Sequence, residues 1–316
     1  MSPAAPQTGA PPGPRSVPLA KRVRRELRVR ALLLLLPLLS RLPRRTGIAL
    51  GAAAGWLAWF LAPRHRRAAL AHLAIAFPDR DPRWRARVGR ASFANLGRSA
   101  LELLALERLD LARTVQFEPG SLETMVAAHA EGRGVVAISC HLDNWELLAR
   151  SVAAAGLPVA TVAREAQDRR LTALLERSRA STGIVSLWRN DAGAARAFIR
   201  HLRAGGVAAA LIDQDTDVAG HFVPFFGREA FTPRAPADLA LRMGAAVVFA
   251  RICRVAPGVH RIRISRLAPP SSGDREADSR AVTAAATKII EEEVRERPEQ
   301  WVWMHARWRT RPGTIR

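Results

Sequence analysis

The chain has 316 residues, 48% of them hydrophobic, which is ample apolar material for a large catalytic domain. A formal net charge of +21 is extreme for a soluble enzyme and calls for an anionic partner surface, either nucleic acid or anionic lipid. Two cysteines, Cys140 and Cys253, exclude a disulfide framework and show no metal-site spacing, so the catalytic part is expected in a reducing compartment.

Residues 1–18 are rich in Pro, Gly, Ala and Ser and read as a disordered tail that cannot bury enough surface to order itself. Residues 19–63 read as a basic and apolar membrane anchor. A basic run from Lys21 to Arg30 precedes a short apolar run, Ala31 to Leu39, and a second basic cluster, Arg41 to Arg45, precedes the apolar stretch Thr46 to Ala62. That stretch is just under the ~20 residues of a spanning helix. Arginine clusters flank it on both sides, leaving a spanning helix, an interfacial anchor and a buried core helix open. The apolar parts come late and are broken by arginine, unlike a cleaved signal peptide.

The catalytic domain is expected over 64–316. Arg64 to Leu106 has helical periodicity with a break at Phe77-Pro78. From Gly134 onward, β-branched runs at Val135 to Ser139, Val159 to Val162, Ile184 to Leu187, Val207 to Ile212, Ala246 to Ile252 and His260 to Ile264 predict strands. Helical patterns lie between most of them, at Trp145 to Ala155, Asp168 to Ser181, Ala192 to Arg203, Pro236 to Met243 and Ser279 to Arg297. The alternation predicts an α/β fold with a mixed, mainly parallel sheet flanked by helices, joined to an N-terminal membrane-associated helical segment.

Cys140-His141-Leu142-Asp143-Asn144-Trp145-Glu146 spans a predicted strand end and helix start. On one continuous helix, residues five apart diverge by about 140°. His141 and Glu146 therefore meet only if the chain turns between them, with Asp143 or Asn144 as N-cap. A histidine polarised by a carboxylate is a general base that can activate an attacking hydroxyl. The residues alone equally permit a helix cap at His141 and a solvated first-turn carboxylate at Glu146. A Cys140–His141 nucleophilic pair is disfavoured because neighbours on an extended chain face opposite ways, and a metal site at His141 and Asp143 lacks further ligands nearby.

The box His141 to Glu146 resembles the catalytic box of the late acyltransferases of lipid A biosynthesis, a branch of the lysophospholipid acyltransferase superfamily. Three further blocks match in order: Arg64 to Pro78, then Asp213-Gln214-Asp215 with Phe222 to Gly227, then Arg297 to His305. The resemblance implies transfer of a fatty acyl chain from acyl carrier protein or acyl-CoA to a hydroxyl of an anionic glycolipid, without a cofactor. It places the protein among membrane lipids at the cytoplasmic face of a bacterial inner membrane. His141 and Glu146 are the implied catalytic pair, and Arg164 resembles a phosphate-contacting arginine. Asn144, Asp213 and Asp215 are further candidate substrate-binding positions; the two aspartates could position an acceptor sugar or cap the following loop.

Phe222 to Phe226 reads as an apolar loop that lines an acyl channel, touches membrane or packs in the core. Trp301, Trp303 and Trp308 suit either a lipid interface or packing of the C-terminal segment. Nucleic-acid binding without chemistry is the rival explanation of the charge, but no zinc-finger spacing or RNA-binding signature accompanies it. A lipid hydrolase lacks its G-x-S-x-G elbow.

Overall fold

The computed structural model describes residues 19–313 except 167, 190 and 192, so the predicted 1–18 tail lies outside the described residues. Four helices come first: α1 (Leu19–Leu39), α2 (Arg44–Leu61), α3 (Pro63–Ala76) and α4 (Pro82–Leu104). Pro63 stands at the first helical position of α3, where its missing N–H costs nothing. Asp81 caps α4 through its carboxylate, which accepts from the Arg83 and Trp84 amides. α2 lies against α4 along glycines: a Cβ on Gly51, Gly55 or Gly97 would drive into the backbone of the facing helix. Small residues at this seam allow the two backbones to touch.

The rest follows as α5 (Leu111–Thr114), β1 (Val115–Phe117), α6 (Ser121–Ala130), β2 (Val135–Ser139), α7 (Trp145–Ala154), β3 (Val159–Ala163), α8 (Arg169–Ala180), β4 (Val185–Trp188) and α9 (Ala194–Arg203). Then come β5 (Val207–Leu211), β6 (Gly220–Phe225), β7 (Arg228–Pro233), α10 (Ala235–Met243), β8 (Ala246–Ala256), β9 (Val259–Leu267) and α11 (Arg275–Glu296). Seven strands form one sheet in the order β1-β9-β8-β2-β5-β3-β4, parallel throughout except for the β8–β9 hairpin. The expected mixed, mainly parallel sheet flanked by helices is therefore observed.

Alternation along the central strands divides the core. Val136 and Ile138 of β2 join Leu73, Phe198, Ile290 and Trp303 on one face, while Val135 and Ala137 join Met125, Leu147 and Val152 on the other. Burial on both faces explains why the strands read as continuous apolar runs.

One prediction is corrected, and one open alternative is decided. Phe222 to Phe226 is not a loop: Phe222 to Phe225 belong to β6, which pairs antiparallel with β7. Phe226 and Gly227 form the two-residue turn, at φ of 51° and 70°, as tight hairpins require. The Phe226 ring packs against Trp303 and Phe77, and its amide donates to Glu291, which holds a phenylalanine in that costly conformation. Trp301 and Trp303 are fully buried rather than at a lipid interface.

Among the described residues, no single helix is long and apolar enough to cross a membrane; the pair α2 and α3 passes together but is bent by 92°. Leu34, Leu35 and Leu38 of α1 and Trp56, Leu57, Phe60 and Leu61 of α2 are exposed.

Candidate active site

β2 and β5 are parallel neighbours with Ser139 opposite Leu211. Two residues beyond that pair, at the carboxyl ends of both strands, stand His141 and Asp213. Open α/β sheets commonly bind ligands at this edge. His141 Nδ1 lies 2.7 Å from Asp213 Oδ1, and the His141 amide donates to Asp213 Oδ2 at 2.8 Å. The Trp301 indole N–H donates to the same Oδ2 at 2.7 Å. Burial works to raise the Asp213 carboxyl, but the neighbouring His141 and these hydrogen bonds outweigh it and hold the group well below the usual carboxylate range. An ionised carboxylate only accepts, so the imidazole proton sits on Nδ1 and the basic lone pair on Nε2.

The carboxylate bonded to His141 is therefore Asp213 and not Glu146. Asn144 caps α7 by accepting from the Leu147 amide at 3.1 Å, which puts Glu146 in the first turn. There its oxygens receive both arms of Arg179, at 2.6 and 2.9 Å, in a pair almost closed to solvent. The turn needed between His141 and Glu146 does form, but it directs Glu146 toward α8.

Behind the box lies a buried polar network. Asp143, at φ 46°, accepts from His260 Nδ1 and from Arg254 at 3.2 Å. Glu102 of α4 takes both arms of Arg254, at 2.7 and 2.8 Å, and the amide of Asn144 at 3.3 Å. Burial opposes the charge on Glu102, yet Arg254 and His260 hold it far below its ordinary value. The Asp143 amide donates to the Gln300 carbonyl, and Ser92 of α4 donates to that of Trp301. The box is thus fixed to α4, the β8–β9 hairpin and the C-terminal segment together.

Three other side chains surround His141. The Gln214 amide lies 3.1 Å from His141 Nε2 and 2.6 Å from His305 Nδ1. Burial, followed by the proximity of His141, pushes His305 down to about 3, so its ring is neutral near pH 7. Trp145 meets the His141 ring edge-on at 4.8 Å and lines an apolar cavity of 60 Å³ between α7 and the sheet. The hydroxyls of Ser139 and Thr161 line the same cavity and have no hydrogen-bond partner among the described residues.

Of the remaining candidates, Arg164 is exposed just after β3, at the same sheet edge, with the like charge of Arg189 nearby. Asp215 is buried and accepts from the amide and hydroxyl of Thr310, tying down the C-terminal segment. Asn144 is buried as a cap. Cys140 is buried and its thiol is pushed well up by desolvation, which suits packing and not nucleophilic chemistry. Sequence reasoning missed Gln214, His305, Trp301 and Arg179 as site residues. His305 ends the C-terminal block and Gln214 lies between two singled-out aspartates, so position was available and role was not.

Residues 21–310 match the family model described as bacterial lipid A biosynthesis acyltransferase. The chain belongs to this family. It is an acyltransferase by that membership. It is 27% identical over 269 residues to the lipid A biosynthesis palmitoleoyltransferase of Escherichia coli (strain K12), covering 83% of this chain and 85% of the relative. The lipid A biosynthesis lauroyltransferase of the same organism is 25% identical over 280 residues, 88% of this chain and 90% of its own. The phosphatidylinositol mannoside acyltransferase of Mycolicibacterium smegmatis (strain ATCC 700084 / mc(2)155) is 25% identical over 260 residues, 82% and 83% of the two chains. Relatives of this chain thus carry names with different acyl groups and different acceptors.

Proposed function

We propose that the chain transfers a fatty acyl group from a thioester, on acyl carrier protein or CoA, to a hydroxyl of an anionic glycolipid of the lipid A type. The reading rests on one observation: His141 is fixed by Asp213 through Nδ1, leaving Nε2 free to act as a base on a ring that packs against Trp145, a residue lining an apolar cavity. In the resting site the Gln214 amide occupies that lone pair, and the acceptor hydroxyl takes its place. Nε2 removes the hydroxyl proton as the oxygen attacks the thioester carbonyl, and Asp213 stabilises the imidazolium. The tetrahedral intermediate collapses with loss of thiolate, which recovers the proton from Nε2. Ester and free thiol leave, and no acyl-enzyme forms.

Glu146 serves this chemistry at one remove, by neutralising Arg179 at the cavity wall. Asn144 and Asp215 likewise shape the site through the helix cap and the C-terminal segment. Arg164, exposed at the same edge, is suited to a phosphate on the acceptor. The exposed apolar residues of α1 and α2 support contact with the cytoplasmic face of a bacterial inner membrane, as an interfacial anchor or through the bent pair α2 and α3. The mycobacterial relative's name favours one second reading, a different glycolipid acceptor with the same chemistry.

The test uses detergent-purified protein, acyl carrier protein or CoA charged with labelled acyl chains, and a lipid A precursor or a phosphatidylinositol mannoside. Labelled ester is expected from wild type, with His141→Ala at background. Equal product from both proteins would remove His141 from the mechanism. Intact-mass analysis with donor alone should show no acyl adduct.

A further inference from the structure

A second cleft of 830 Å³ opens on the other side of the box, between α2, α4 and the end of the β8–β9 hairpin. Arg45, Ile48, Ala49 and Ala52 of α2 line it at positions i, i+3, i+4 and i+7, so one helix face supplies a cation followed by an apolar stripe. Arg98 of α4 and Arg254 stand opposite. None of His141, Gln214 and His305 belongs to its lining.

The charges in this cleft are unevenly matched. Glu102 and Asp143 are committed to Arg254 and His260. Arg45 and Arg98 have no carboxylate within ion-pair distance among the described residues, and Glu299 is the acidic side chain in the lining. Arg98 is half-buried; desolvation and then the like charge of Arg254 work against its protonated form, and the carboxylates of Asp143 and Glu102 offset this only in part. Two guanidiniums lining one cleft beside an apolar stripe suit an anion that carries hydrocarbon, because a phosphate ester accepts the forked donors of arginine. The exposed leucines and aromatic residues of α2 continue away from this cleft, where acyl chains would lie.

We propose that this cleft is a second lipid site, holding the phosphate of an anionic membrane phospholipid between Arg45 and Arg98 and its hydrocarbon against Ile48 and Ala52. Its occupant sits apart from the cluster of His141, Gln214 and His305, none of which lines the cleft. The Arg254–Asp143 contact places the occupant one side chain away from the catalytic box.

The full-length protein in detergent would be titrated with monomeric dihexanoylphosphatidylglycerol, dihexanoylphosphatidylcholine, inorganic phosphate and coenzyme A, with binding read by calorimetry. Short-chain lipid presents no charged surface, so general attraction to a bilayer does not contribute. Phosphatidylglycerol should bind at least tenfold tighter than phosphatidylcholine or phosphate. Arg98→Gln and Arg45→Gln should each weaken it about tenfold, the loss of one charge-assisted contact. Arg41→Gln, an exposed arginine outside the lining, should change it less than twofold. Equal affinity for phosphatidylcholine, or equal losses in all three variants, would overturn the proposal. Phosphate alone binding as tightly as the lipid would reduce the site to a free-anion site. Coenzyme A binding that Arg98→Gln abolishes would assign the cleft to the acyl donor instead. Because every arm reads binding, these results stand whether or not His141 proves to be the base.

Discussion

Six consecutive residues of the box divide into a working side and a foundation. His141 faces Gln214, His305 and the cavity-lining Trp145. Asp143 and Asn144, two and three residues on, are buried against Glu102, Arg254 and His260. Both sides are rich in charge, but they use it differently. On the working side one carboxylate orients one imidazole and leaves its Nε2 lone pair for the chemistry proposed above; on the foundation side, charges saturate one another and fix the loop. A short motif can therefore encode its own support, and a conspicuous acid in it need not be a reactant.

The strongest way to break this division is through the carboxylate that holds the imidazole and the acid that closes the box. Asp213→Asn should lower kcat by about 10³- to 10⁴-fold while leaving the fold intact, as happens when a histidine base loses its orienting carboxylate. Steady-state kinetics with the protein's circular dichroism as control would check this. Arg254→Gln acts on the foundation and should cost about 3–5 kcal/mol in chemical denaturation, since it leaves Glu102 buried without its cation. Glu146→Gln should cost less, about 1.5–3 kcal/mol for the weakened pair with Arg179, with turnover falling far less than in Asp213→Asn. Equal loss of kcat in the Glu146 and Asp213 variants would move Glu146 back to the working side.

The smallest expected effect is a pH dependence of the foundation. Burial disfavours a charged His260, but the hydrogen bonds and charges of Asp143 and Glu102 outweigh it and raise the folded pKa. Stability from that charge is full below the unfolded histidine value of ~6.5 and is lost as pH rises through the raised folded value. The Tm gap between wild type and His260→Gln should be wider at pH 6 than at pH 9. A gap that widened toward alkaline pH would mean that the ring is neutral when folded.

The central sheet was legible because its strands are buried on both faces and leave unbroken Val, Ile and Ala runs; Val135 to Ser139 has the bounds expected of it. The β6–β7 hairpin was not, because its turn uses Phe226 where Asn or Gly would announce it. Spacing could bring Glu146 into view as a partner for His141, because both lie in one short segment. Asp213 was visible as a residue at the same sheet edge, but its pairing with His141 depends on β5 lying beside β2, and strand order is not written in local periodicity. Likewise, the arginine excess pointed to an anionic partner without showing that Arg45 and Arg98 share one cleft while Arg179, Arg251 and Arg254 are spent on internal carboxylates.

The glycine seam between α2 and α4 has a geometric consequence for substrate choice. α4 is a rigid strut: its Gly97 touches α2, while Ser92, Asn95 and Glu102 brace the catalytic loop and the C-terminal segment. With no slack along that strut, any surface on which the apolar face of α2 rests is held at a set standoff from His141. Were that surface the membrane of the proposed function, a hydroxyl would qualify by its height above it as well as by its identity.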